Sequence, residues 1–123
     1  MSIKVMGIDP GLRFTGWGII SLDGNHIKHN ANGVIKTRSE DSLSNRLLEL
    51  YSNITEVIAE FKPNEASIEN TFVNKNALSS LKLGHARGAI MVAVANQNVI
   101  CSECVPNLIK KTIVGQGHAD KSQ

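Results

Sequence analysis

Apolar residues recur along this chain in two rhythms, and each rhythm predicts a different element. Residues 3–8 are apolar almost without a break, Lys4 excepted, which fits a central strand buried on both faces. Asp9-Pro10-Gly11 ends that run as a turn. Residues 15–22, with Gly16 and Gly18 alternating with Trp17 and Ile19, predict a second strand. Asp23-Gly24 is a strong hairpin signal and sends the chain back antiparallel through a third strand over 27–37. The rhythm then changes. Leu43, Leu47, Leu50, Ile54, Val57 and Phe61 follow one another at alternating steps of four and three, one face of a helix with Ser42 or Ser44 as its cap and Pro63 as its stop.

A short strand over 65–69 follows, reached from the first by a crossover that should be right-handed and so make a parallel pair. Residues 76–96 read as a second helix, but 86–95 are apolar nearly all the way round except at Arg87. Such a helix needs two partners: one face covers the sheet, and the other, with Gly84 and Gly88 four apart, is either a dimer seam or deeply buried in the same chain. Residues 99–105 predict a further strand, Pro106 opens a short helix to Ile113, and 115–117 form a loop. The expected architecture is one α/β domain over 1–123, a mixed five-stranded sheet whose first three strands form an antiparallel meander, flanked by helices.

Bulk composition narrows the field of functions. At 123 residues and 41% apolar content the chain suits a single ordinary core, and five aromatic residues are few enough that an exposed one would stand out. No apolar run approaches the roughly 20 residues that span a bilayer, so the expectation is a cytoplasmic protein without a membrane partner. Cys101 and Cys104 lack a second pair to complete a zinc site and are expected to be buried free thiols. Net charge is only +2, yet residues 1–74 carry seven basic and nine acidic side chains and 75–123 carry six and two. The second half is a modest electrostatic footprint for a polyanion.

The sheet brings two acids together. Asp9 ends the first strand and Glu69 ends the strand expected beside it, so both should emerge at the carboxyl edge, where open α/β sheets bind ligands. Two hard oxygen donors on neighbouring strands suit magnesium, which keeps much of its water. Taken singly, Asp9 is equally well a turn residue and Glu69 a cap for the next segment. An acid so close to a buried strand nevertheless has to be compensated by a cation or a metal.

Four blocks, in order along the whole chain, resemble RuvC-type Holliday junction resolvases: G-I-D-P-G-L-R-F-T-G-W-G at 7–18, S-I-E-N-T-F at 67–72, K-N-A-L-S-S-L-K-L-G-H-A-R-G at 75–88, and K-K-T-I-V-G-Q-G-H-A-D-K-S-Q at 110–123. The resemblance implies an RNase H-like fold and a homodimer that makes paired symmetric nicks in a four-way DNA junction during recombination and repair. It also implies magnesium as cofactor, with manganese as a substitute, and a branch-migration complex as a partner. By the same resemblance Asp9 and Glu69 are the first two metal-binding, catalytic acids, and Phe72 is the aromatic residue that inserts at the junction centre. Lys110 and Lys121 contact phosphate, with Lys75, Lys82, Arg87 and Lys111 as further DNA contacts.

One departure matters. The family's remaining metal-binding acids lie in a C-terminal helix that this sequence does not reach, and Asp120 stands upstream of their position. The expectation is therefore a chain that folds and binds DNA but cuts poorly. Two other readings stay open: a junction-binding module that does not cleave, and an actin-like ATPase fragment, since Asp9-Pro10-Gly11 with Thr15 partly fits a phosphate-cradling turn. Neither His85 nor His118 has a role assigned by this reading.

Overall fold

The computed structural model describes residues 2–69 and 76–102. Its elements run β1 (Ile3–Asp9), β2 (Phe14–Asp23), β3 (His26–Lys36), α1 (Leu43–Phe61), β4 (Glu65–Ile68), α2 (Ala77–Asn96) and β5 (Ile100–Ser102). The strands form one sheet in the order β3-β2-β1-β4-β5. β1 pairs antiparallel with β2 and β2 with β3, while β1 with β4 and β4 with β5 are parallel. The expected meander and crossover are thus both present, and the described part of the last strand falls inside the expected 99–105. The remainder of that strand, the helix over 106–113, the loop over 115–117 and everything after them lie outside the described residues.

Local chemistry accounts for the boundaries. The β2–β3 loop is Gly24-Asn25, closed by the Asp23↔His26 pair, and Gly24 takes φ 61°, a backbone that favours glycine. Helix α1 starts where the Ser42 side chain accepts a hydrogen bond from Asn45 N–H at 3.3 Å. It ends at Lys62, whose left-handed φ of 49° lets its N–H donate to the Ile58 carbonyl at 2.8 Å just before Pro63. Helix α2 is capped by Asn76, whose side-chain oxygen accepts from the N–H groups of Leu78 and Ser79.

Both helices lie on one face of the sheet. Met6, Ile8, Ile19, Ile35, Ala66 and Ile68 from the strands close on Leu50, Ile54 and Ile58 from α1 and on Ala86, Ile90, Ala93 and Val94 from α2. Each fully buried aliphatic side chain in this layer contributes about 1.5–3 kcal/mol. Because side chains alternate along a strand, Val5 and Ile20 face the other way and form a separate small cluster with Leu22 and Ile27.

Two expectations change. Cys101 is exposed rather than buried, because β5 is the outermost strand of the described sheet and its Ile100 and Cys101 stand open; Cys104 lies outside the described residues. Within this chain α2 is not deeply buried all round either. Leu78, Leu81 and Val92 are each more than half exposed, and a Cβ placed on Gly84 or Gly88 would meet nothing within 4 Å.

Candidate active site at the carboxyl edge

Parallel register sets the two acids side by side. The last paired residues of β1 and β4 are Ile8 and Ile68, and the ladder continues one step further, with Glu69 N–H donating to the Ile8 carbonyl at 2.8 Å. Asp9 and Glu69 therefore occupy equivalent places on adjacent strands, and both are half-buried. Alternation along the strands also decides their face. Ile8 and Ile68 point into the helix-covered core, so Asp9 and Glu69 lie on the opposite face, the one that carries Val5 and Ile20. Directly across from Asp9 on β2 is Gly16, which puts no side chain between this edge and an approaching molecule.

The turn after Asp9 is held by a buried hydroxyl. Thr15, with no exposed surface, donates to the Gly11 carbonyl at 2.6 Å, and its oxygen accepts from Gly11 N–H at 3.2 Å. Residue 11 must be small here, because an added Cβ would collide with the carbonyl oxygen of Phe14. Further along the turn, Thr37 donates its hydroxyl to the Leu12 carbonyl at 2.6 Å and its N–H to the Arg13 carbonyl at 3.2 Å. Arg46 Nε, from α1, donates to that same Thr37 hydroxyl at 3.0 Å. A chain of hydrogen bonds thus runs from the residue after Pro10 to the first turns of α1.

Two carboxylates on neighbouring strands are a donor set that a divalent ion with several retained waters accepts, and their oxygens fit magnesium. Among the described residues no group of three or more His, Cys, Asp or Glu side chains gathers to hold a metal ion.

Other expected site residues divide by position. Phe72, Lys75, Lys110, Lys111 and Lys121 lie outside the described residues. Arg87 is half-buried on α2, and Lys82 is exposed on the same helix, beside the β1–β2 turn. Sequence reasoning passed over Arg13, Arg46 and Phe14. Phe14 is 40% exposed, with the Arg13 guanidinium 5.3 Å and the Lys36 ammonium 5.9 Å from its ring centre. It pairs with Lys36 two residues along from Gly16 and so lies on the acid-bearing face. Arg13 lies within the 7–18 motif, which is the signal for it; Arg46 reads in sequence as one more polar position on α1.

Known proteins resemble this chain in sequence and in fold. Residues 5–123 match the family model described as crossover junction endodeoxyribonuclease RuvC. The crossover junction endodeoxyribonuclease RuvC of Nitrobacter hamburgensis is 48% identical over 121 residues, covering 98% of this chain and 71% of the relative. Among solved structures, Thermus thermophilus RuvC superposes with a TM-score of 0.76 at 28% identity, covering 98% of this chain and 74% of that one. RuvC of T. thermophilus in complex with a Holliday junction substrate gives a TM-score of 0.77 at 25% identity, covering 89% of this chain and 68% of that one. These matches separate the nuclease from the ATPase alternative, and the fold is the RNase H-like one expected. The chain belongs to the RuvC family of crossover junction endodeoxyribonucleases.

Proposed function

We propose that this chain binds four-way DNA junctions and carries the first two acids of a magnesium-dependent site that nicks two junction strands symmetrically. The observation that carries the reading is the pairing of Asp9 and Glu69 at the carboxyl ends of adjacent parallel strands, on one face of the sheet. Bound there, a divalent ion would lower the pKa of a coordinated water and neutralise charge on the departing oxygen. Asp9 and Glu69 would hold it, manganese being the expected substitute for magnesium. The Thr15 clamp on Gly11 keeps Asp9 in place, and Gly16 leaves room over the acid for a phosphodiester. Phosphodiester cutting by two metals uses three or four carboxylates, and the described residues supply two, so full activity in this reading needs at least one acid more.

The reading includes a second copy of the chain. Leu78, Leu81, His85, Gly88 and Val92 follow at steps of three and four on α2, the spacing of a helix-to-helix seam, and the leucines and valine in it are exposed. A twofold dimer places equivalent acid pairs on equivalent strands of a twofold junction, which makes the two cuts match. Phe72 at the junction centre, Lys75, Lys110, Lys111 and Lys121 on phosphates, and a branch-migration complex as partner belong to this same proposal.

Asp9→Asn and Glu69→Gln test it with a labelled four-way junction in magnesium and with a duplex of the same sequence. Each variant should weaken manganese binding, read by titration calorimetry, and abolish the residual nicking, while leaving junction affinity close to the parent. Metal binding that is unaffected by both substitutions, or nicking equal on duplex and junction, would refute the assignment.

A further inference from the structure

A second feature of the same edge is a cavity of about 390 Å³ on the helix side of the β1–β2 turn. It opens against Gly11, Arg13, Ser39, Arg46, Ser79 and Lys82, contributed by the turn, the β3–α1 connection, α1 and α2. No carboxylate is among its lining residues, and three cations from three separate segments are. Mutual repulsion would spread such cations apart unless an anion drew them in. Glu40, which feels the Arg46 charge weakly, has its carboxylate paired with Arg38 at 2.9 Å and does not line the cavity.

The walls are built before any ligand arrives. Arg46 spends its Nε on the Thr37 hydroxyl, which aims the guanidinium while its terminal nitrogens make no hydrogen bond to a described residue. Thr37 is itself fixed to Leu12, and Thr15 fixes Gly11. The amino ends of α1 and α2 both come to this edge, and neither helix has an acidic residue in its first turn to neutralise the positive end of its dipole. Ser79 adds a hydroxyl, while the Ser39 hydroxyl donates to the Glu40 carboxylate at 3.5 Å. A volume of this size is that of a small-ligand cleft rather than of a single water site.

We propose that this cavity is a phosphate-binding subsite that grips the backbone of a DNA strand beside the phosphodiester at Asp9 and Glu69. The inference rests on the nuclease reading above for its choice of strand. Gly11, in its wall, is two residues from Asp9, so a strand seated here runs directly onto the acid edge. A polynucleotide supplies several phosphates in succession, which suits three cations spread around one cleft better than a single small anion does.

Salt-dependent binding of a fluorescent four-way junction tests the subsite. Arg13 and Lys82 are both exposed, so the double variant Arg13→Gln, Lys82→Gln should keep the fold, which circular dichroism checks; Lys28→Gln, Lys62→Gln, also exposed, removes the same charge elsewhere. Each lost phosphate contact lowers the slope of log K against log salt by about 0.9. The double variant should therefore lose about 1.8 in slope and about 60-fold in affinity at 0.1 M salt, and the control far less. Equal behaviour of the two double variants would overturn the subsite. If the parent binds duplex as well as junction, the junction-selective reading fails; the same comparison on duplex then decides the cavity alone. Isothermal titration with inorganic phosphate separates the remaining source: tight phosphate binding that the Arg13, Lys82 variant abolishes, without a change in DNA slope, means a small-anion site and overturns the strand assignment.

Discussion

Replacing Thr15 by valine isolates the hydrogen bonds that hold the Asp9 turn. Valine matches threonine in shape and suits a strand, so the substitution leaves no cavity; what it removes is one hydroxyl. That hydroxyl donates to the Gly11 carbonyl at 2.6 Å and accepts from the Gly11 N–H at 3.2 Å, and Thr15 is fully buried. Two neutral hydrogen bonds contribute about 1–3 kcal/mol together. A loss near the middle of that range, about 2 kcal/mol, corresponds to a melting-point drop of about 8 °C for a domain of this size. Thr15→Ser makes the complementary change, keeping the hydroxyl and deleting a buried methyl at a cost of about 1 kcal/mol.

Urea unfolding of the three proteins at one pH gives both free energies. The order expected is threonine, then serine, then valine, with the urea slope unchanged. Valine at or above parental stability, with serine below it, would mean that the methyl does the holding and that the turn is set by packing. The clamp would then be no part of how Asp9 is positioned.

Gly11→Ala should destabilise the chain by about 1–3 kcal/mol, because its Cβ would overlap the Phe14 carbonyl and push the turn outward; differential scanning fluorimetry checks this, and a parental melting point would contradict it. Leu81→Glu with Val92→Glu should leave the melting point of the single chain almost unchanged, since both residues are more than half exposed. Sedimentation velocity should find that pair monomeric and the parent dimeric, and a dimer that survives both glutamates would remove α2 from the seam.

Much of this fold is legible in sequence because it rests on repeating patterns. The four-and-three spacing on α1 places Leu50 and Ile54 in the core, where they are fully buried, and Leu47, Val57 and Phe61 against it, but Leu43 is 41% exposed and Ile58, outside the series, is buried. Asp9 and Glu69 could be placed together because strand ends and crossover direction follow from order alone. What a pattern does not carry is the direction of single polar side chains. Arg46 and Lys82 lie 36 positions apart and meet at one cavity only after two helices have docked. Cys101 misled for a related reason: an apolar strand reads as buried, but burial depends on whether a neighbour lies beyond it, and β5 is the edge of the described sheet.

One topological fact organises the whole edge. β1, β3 and β4 run in the same direction, so the carboxyl ends of β1 and β4 and the amino ends of α1 and α2 arrive at one rim. The strand ends deliver two carboxylates on one face, and the helix starts deliver positive dipole ends with Arg46 and Lys82 on the other, Arg13 standing between them on the β1–β2 turn. Alone, the acids would repel a DNA strand; alone, the cations would hold it without cutting. In the proposed reading, with the two placed on opposite sides of one rim, the basic side would hold the backbone while the acidic side kept its charge for a divalent ion. Neutralising Arg13 and Lys82 should accordingly weaken junction binding and leave metal binding unchanged, whereas Asp9→Asn should do the reverse. Coupled loss of both properties in either variant would mean that the two faces are one site, and the division of labour between them would fall.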